Sequence, residues 1–179
     1  MRHQNGLCLG SEGCSNTQGG AISILVKVSE QRLYLRDDQG RTVVEYPVST
    51  SRFGTGNRLG SYQTPIGTHR IYRKIGDGCQ ADEVFVGREP QGRLSDFIEY
   101  GQVPDDPITA RILWLEGLEP GINEGGEVDS CRRYIYIHGT GEEELIGRPA
   151  SKGCIRMYNQ DVIDLFERVD EGCLVIVEQ

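Results

Sequence analysis

RRYIYIHGT at residues 132–140 and SKGCIRM at 151–157 decide how the rest of this chain is read. In the first string Ile135 and Ile137 alternate with Tyr134, Tyr136 and His138, the period of two that marks a β-strand with one face toward a core. With the isoleucines turned inward, the tyrosine–histidine face either lines a cleft, where Tyr134 and Tyr136 pack against a ligand or hold the imidazole, or simply covers a neighbouring sheet. In the second string Gly153 precedes Cys154, and fifteen residues lie between that cysteine and His138. That is enough chain to leave a strand, cross over and return, so the thiol and the imidazole can be brought together.

Such a pair is the minimum equipment of a thiol nucleophile. Cysteine attacks as thiolate, and a neighbouring imidazolium lowers its pKa from about 8.5 into the range of roughly 3.5–7.5. An imidazole with a pKa near 6.5 also suits the general base that takes the thiol proton and returns it to a leaving amine. Gly153 permits a sharp approach of the backbone, and the N–H groups of Gly153 and Cys154 are candidates for an oxyanion hole.

On these residues the chain resembles the catalytic domain of L,D-transpeptidases, bacterial enzymes that cross-link peptidoglycan. The family carries a histidine followed by a small residue, then a Ser/Thr, a variable position and Gly-Cys. Here these are His138-Gly139 and Ser151-Lys152-Gly153-Cys154, with Ile155 and Arg156 next. Lys152 stands where His is frequent and Arg156 where Asn is frequent. TPIGTHRIYRKIG at residues 64–76 is similar to the family's upstream Thr-Pro-x-Gly segment, and the likeness covers about residues 22–178.

The resemblance implies a mainly β catalytic domain over residues 21–179, a β-sandwich or curled mixed sheet with one amphipathic helix after the catalytic cysteine. It implies Cys154 as nucleophile, His138 as base, and the Gly139 carbonyl as acceptor for the other ring nitrogen. The implied reaction is a thioester with a tetrapeptide stem, passed to a diamino-acid side-chain amine; water as acceptor makes the same site an L,D-carboxypeptidase. Arg156 either clamps a stem carboxylate with its planar fork or sits in a structural ion pair. Ser151 either contacts substrate or stabilises the turn. A monomer needing no metal or organic cofactor is expected, acting on peptidoglycan stems in the periplasm or cell envelope and open to acylation by carbapenems.

Composition limits the alternatives. A chain of 179 residues suits one domain, and a net charge of −8 with a pI near 4.9 opposes nucleic-acid binding, which needs a basic footprint. Apolar runs such as AISILV and CLVIV fall far below the roughly 20 residues of a membrane-spanning helix. Residues 1–20 read as a loose leader without a secretory signal, and a zinc site from His3, Cys8 and Cys14 lacks tight spacing. With Cys154 kept reduced, Cys8, Cys14, Cys79, Cys131 and Cys173 allow at most two bridges, and free thiols are as good a reading.

Along the chain, AISILVKV, RLYLR and RTVVEYPVS read as a meander of hairpins, and the glycine-rich loop after them lacks any phosphate-binding spacing. Residues 77–108 read as a long excursion, either a lid over the site or a surface insertion with a short strand or helix. ARILWLEGL returns to strand. Asn159 reads as the N-cap of a helix with Val162, Leu165, Phe166 and Val169 on one stripe and Gly172 at its end, before a last strand CLVIVE. A papain-like peptidase would place Cys well before His, and a non-enzymatic envelope-binding domain would not need the pair.

Overall fold

A computed structural model describes residues 22–179; the expected leader, with His3, Cys8 and Cys14, lies outside the described residues. Alternating burial builds the first hairpins. β1 (Ser23–Lys27) pairs antiparallel with β2 (Arg32–Arg36), and β2 with β3 (Thr42–Pro47). The β2–β3 turn is set locally: the Asp37 carboxylate accepts the N–H groups of Gln39 and Arg41, and Gly40 takes φ +74°.

The long strands follow. β4 (Gly67–Ile75) runs antiparallel to β7 (Ile108–Gly117), and β7 to β8 (Tyr136–Thr140). β9 (Ile155–Met157) joins β8 in parallel, and β10 (Leu174–Glu178) lies between β1, parallel to it, and β4. Residues 77–108 are not a structureless loop: β5 (Glu83–Val86) and β6 (Glu89–Arg93) form a hairpin, α1 (Leu94–Glu99) follows, and β5 is stitched to Ile108 and Thr109 of β7. The ten strands form one mixed sheet. The fold is therefore the mainly β, mixed-sheet architecture expected from the sequence.

One face of the sheet gathers around α2 (Asn159–Arg168), which buries Val162, Leu165 and Phe166 against Leu113, Ile137, Ile155 and Met157. Each such side chain removed from water contributes about 1.5–3 kcal/mol before entropy. The opposite face carries a smaller cluster of Phe85, Ile112 and Tyr136, with Trp114, Cys79 and Cys154 packed on it.

The ends of α2 differ from the sequence reading. Asn159 is the first helical residue and not the cap; its N–H donates to Glu143 Oε1 at 2.7 Å, so a carboxylate from the preceding 3-10 turn satisfies the helix start. The helix stops at Arg168, short of Gly172. Lys74 Nζ, reaching over from β4, donates to the Phe166 and Val169 carbonyls at 2.7 Å each, so the terminal carbonyls find a partner without a glycine. Gly172, at φ +90°, serves the turn into β10 instead.

Candidate active site

Strand register puts the histidine and the cysteine on one face. On β7, Ile112 pairs with His138 and Trp114 with Tyr136; on β9, Ile155 pairs with Ile137 and Arg156 with His138. Ile137 and Ile155 face the main core with α2. Tyr136, His138, Arg156 and Cys154 therefore share the other face, with Cys154 one step before β9, beside Tyr136. Its thiol donates to the Tyr134 carbonyl at 3.5 Å and receives the Tyr136 N–H. Just beyond His138, β7 is interrupted by a bulge between Thr109 and Ile112 in which Ala110 takes φ +63°. A non-glycine residue held there costs of order 1–3 kcal/mol and persists where surrounding structure enforces it.

His138 is buried, 1% exposed, and its Nδ1 lies 2.7 Å from the Gly139 carbonyl oxygen. A carbonyl only accepts, so Nδ1 carries the proton and Nε2 keeps the lone pair of a base. Burial holds the His138 pKa below 6.5, against the opposing pull of the Asp106 charge and the Gly139 contact. For Cys154, burial pushes the thiol up to about 12, with Asp106 adding to the rise and the Tyr136 N–H, Arg156 and Arg133 working against it. The residue keeps some access to solvent, but its sulfur is crowded by Tyr136 and its neighbours. Burial in this cleft therefore works against both charges of the thiolate–imidazolium pair expected from the sequence.

The cysteine loop is fixed from within. Ser151 is fully buried; its Oγ donates to the Cys154 carbonyl at 2.6 Å and accepts the Gly153 N–H at 3.2 Å. Gly153 takes φ +127°, which only glycine adopts without strain. Of the two readings of Ser151 the turn brace is the one its contacts match, and the Gly153 N–H, an expected oxyanion donor, is already engaged.

The upstream Thr-Pro-Ile-Gly segment reaches the same loop through one intermediary. Thr64 Oγ1 accepts the Ser51 N–H at 3.0 Å, and Ser51 forms a β-bridge with Ser151. Gly67, the last residue of that motif, takes φ +104°, and a β-carbon there would meet Asn123 Nδ2 and Glu119 Oε1 at 2.8 Å.

Of the remaining expected substrate contacts, the structure withdraws two. Arg156 has a side chain only 3% exposed, with Nη2 2.6 Å from Asp106 Oδ1 and Nη1 2.8 Å from Glu142 Oε2, so its fork is taken up by a structural ion pair. Tyr136 is 5% exposed, and its hydroxyl accepts from Arg88 Nη1 at 3.1 Å. Tyr134 alone stays open, 54% exposed, at φ +56° outside the strand.

Residues 77–108 wall the site from two sides. The hairpin turn brings Arg88 over the rings of Trp114 and Tyr134, 4.8 and 5.2 Å from their centroids. The end of the segment pairs Asp105 with Lys152 and Asp106 with Arg156. Two hollows flank the loop that carries Cys154. One, about 340 Å³, mixes charges, with Asp106, Glu142, Arg148 and Arg156 among its walls; the other, about 280 Å³, is bounded by Tyr62, Arg132, Arg133, Tyr134 and Lys152.

Sequence reasoning missed Asp106 and Arg133. Asp106 sits between two prolines in a stretch with no periodicity, and its proximity to His138 comes entirely from the path of residues 77–108. Arg133 sits two positions before Ile135 in a string read as plain strand, yet it donates to the Gly56 and Gln63 carbonyls and to Ser61 Oγ, holding the loop of residues 56–63 beside the cysteine. Among the described residues no cluster of His, Cys, Asp and Glu is placed to hold a metal, and no helix is long and apolar enough to cross a membrane. Cys79, Cys131 and Cys154 are not bridged to one another.

Comparison with known proteins points the same way. The model of the YkuD family, the L,D-transpeptidase catalytic domain, matches residues 21–177. YqjB of Bacillus subtilis (strain 168), which carries an L,D-transpeptidase name, is 38% identical over 77 residues, covering 43% of this chain and 38% of that protein. ErfK/SrfK of Escherichia coli (strain K12), similarly named, is 25% identical over 169 residues, covering 87% of this chain and 44% of the relative. The chain thus spans less than half the length of these curated relatives. Among solved structures, L,D-transpeptidase 3 of Mycobacterium tuberculosis in complex with a faropenem-derived adduct matches with a TM-score of 0.54 at 17% identity, over 90% of this chain and 61% of the other. An L,D-transpeptidase of M. tuberculosis H37Rv matches with a TM-score of 0.55 at 17% identity, over 90% and 59%. These likenesses establish the fold, and the family match over residues 21–177 establishes that this chain belongs to the L,D-transpeptidase family.

Proposed function

We propose that the domain is a peptidoglycan L,D-transpeptidase in which Cys154 takes the acyl group of a tetrapeptide stem as a thioester and yields it to the side-chain amine of a diamino acid on a second stem. The observation that carries this reading is the β8–β9 register, which sets His138 and Cys154 on one face while the Gly139 carbonyl fixes the imidazole tautomer.

In the proposed reaction the resting thiol is neutral, so His138 Nε2 removes its proton as the sulfur attacks the carbonyl. The proton then passes to the departing amine. The Cys154 N–H stabilises the oxyanion, since the Gly153 N–H is held by Ser151. An amine acceptor enters by the other side of the loop, and the same base deprotonates it. The enzyme acts on the envelope side of the cytoplasmic membrane, where its substrate is.

Intact-mass spectrometry tests the reading. A tetrapeptide donor, or a carbapenem as surrogate, should leave an adduct on the native protein and none on Cys154→Ala, and His138→Ala should slow its formation by about 10²–10⁴-fold. With donor and a diamino acid together, a cross-linked product marks a transpeptidase and a trimmed tripeptide alone marks a carboxypeptidase. An adduct on Cys154→Ala would refute the nucleophile.

A further inference from the structure

The hollow of about 280 Å³ beside Cys154 differs in charge from everything around it. The whole chain carries a net charge of −8, yet Arg132, Arg133 and Lys152 line this hollow and no Asp or Glu does. Lys152 is paired with Asp105 outside the lining, and the Arg133 guanidinium is bonded to Gly56, Ser61 and Gln63, which leaves Arg132 as the guanidinium whose fork the hollow presents. The second hollow, across the cysteine loop, has Asp105, Asp106 and Glu142 in its wall against its cations.

Its aromatic walls are built at a conformational cost. Tyr62 and Tyr134 both take left-handed backbone, φ +57° and +56°, and both rings are exposed, 58% and 54%. In each case the carbonyl is directed inward: that of Tyr62 accepts from Ser51 Oγ at 2.5 Å, and that of Tyr134 from the Cys154 thiol at 3.5 Å. Non-glycine residues held in this region cluster where a site needs a fixed arrangement. The Tyr134 contact also joins the hollow directly to the reactive sulfur.

We infer that this hollow is the subsite for the C-terminal carboxylate of the residue that departs from the donor peptide, with Arg132 as its specificity residue and Arg133 as the residue that positions its wall. The inference rests on the reading of Cys154 as acceptor of a peptide acyl group. In a tetrapeptide the terminal carboxylate is one residue past the scissile carbonyl, and consecutive Cα atoms lie about 3.8 Å apart, so the hollow starting at Tyr134 is within its reach. The Arg132 fork can recognise a carboxylate by paired N–H donors. Arg133 holds the loop of residues 56–63 by its contacts to Gly56 and Gln63, so the subsite is shaped before the peptide arrives.

The test uses the Cys154→Ala protein, titrated by calorimetry with a stem tetrapeptide ending in a free acid and with the same peptide ending in an amide. The free acid should bind about tenfold tighter, the worth of a charge-assisted hydrogen-bonded pair, and the gap should narrow with salt. Arg132→Gln, an exposed position, should cut the gap to about threefold or less. Equal affinity of acid and amide overturns the inference, as does failure of both to bind at millimolar peptide. Thioester formation by the native protein is read separately: discrimination by Cys154→Ala without any thioester on the native chain upholds the carboxylate subsite and sinks the transferase reading. A thioester without discrimination does the reverse.

Discussion

His138 donates its Nδ1–H to the carbonyl of its own neighbour, Gly139, at 2.7 Å, and that carbonyl can hold its place because Gly139 has no side chain. A β-carbon there would meet Asn159 Oδ1 at 2.3 Å, the Thr109 carbonyl oxygen at 2.7 Å and Ala110 Cβ at 3.1 Å. Asn159 is itself pinned, accepting from Thr109 Oγ1 at 2.6 Å. The small residue after the histidine is thus a packing requirement of three elements. Gly139→Ala is expected to lower stability by roughly 1–3 kcal/mol through overpacking and to lower kcat/KM by about 10²-fold through displacement of the imidazole. Chemical denaturation and the acylation rate read the two effects; an unchanged acylation rate would contradict the orienting role of this carbonyl.

The pH dependence of the thiol separates a neutral resting pair from a preformed ion pair. Burial pushes the Cys154 pKa up to about 12 and holds the His138 pKa below 6.5, which favours the neutral form of each. Alkylation of Cys154 by iodoacetamide, which needs the thiolate, should keep rising past about pH 9. Acylation by a donor, assisted by His138 as base, should lose rate only as pH falls below the ordinary histidine value, where the imidazole is protonated. A plateau of alkylation reached by about pH 7.5 would instead mark a thiolate–imidazolium pair.

His69 gives the fold a separate acid sensitivity. It is fully buried on β4, with Nδ1 3.0 Å from the Gly67 carbonyl and Nε2 3.0 Å from Ser130 Oγ, and burial takes its pKa down to about 4. The folded state therefore binds this proton less readily than the unfolded chain. The stability it contributes is complete above the unfolded value near 6.5 and is lost as pH falls from there toward 4, roughly 3 kcal/mol in all. Urea midpoints measured across that window should fall less steeply for His69→Gln than for the native protein. Parallel slopes would remove His69 from the account.

The strands and the amphipathic helix were legible because their pattern is local: RLYLR alternates, and Val162, Leu165 and Phe166 recur at helical spacing, so burial in the structure follows period. The placing of His138 and Cys154 on one face was legible for a related reason, since Gly139 and Gly153 are demanded by backbone close to them. What escaped is long-range. Nothing adjacent in sequence tells that Glu143 will satisfy the start of α2 or that Lys74 will satisfy its end, and a reader who expects caps from neighbours assigns Asn159 and Gly172 instead. The partner of Arg156 escaped in the same way. The sequence left its fork between a substrate carboxylate and an ion pair, and only the return of residues 100–107 brings Asp106 to it.

That buried pair carries the last prediction. Asp106 lies against Arg156, and its charge acts on both reactive groups in opposite chemical senses: it favours the protonated form of His138 and disfavours the ionised form of Cys154. Asp106→Asn keeps the shape and removes the charge. Alkylation of Cys154 at about pH 9 should then be faster than in the native protein, while the acid limb of donor acylation should move to lower pH, because the thiol ionises more easily and the imidazole less readily holds a proton. Stability should drop by roughly 1–3 kcal/mol, since Arg156 keeps Glu142 but loses one of two partners in a buried setting. Arg156→Lys should likewise act on stability and leave the KM for donor unchanged, as befits a side chain whose fork is already occupied. A raised KM at full stability in that variant would return Arg156 to the substrate, and unshifted pH profiles in Asp106→Asn would detach this carboxylate from the chemistry.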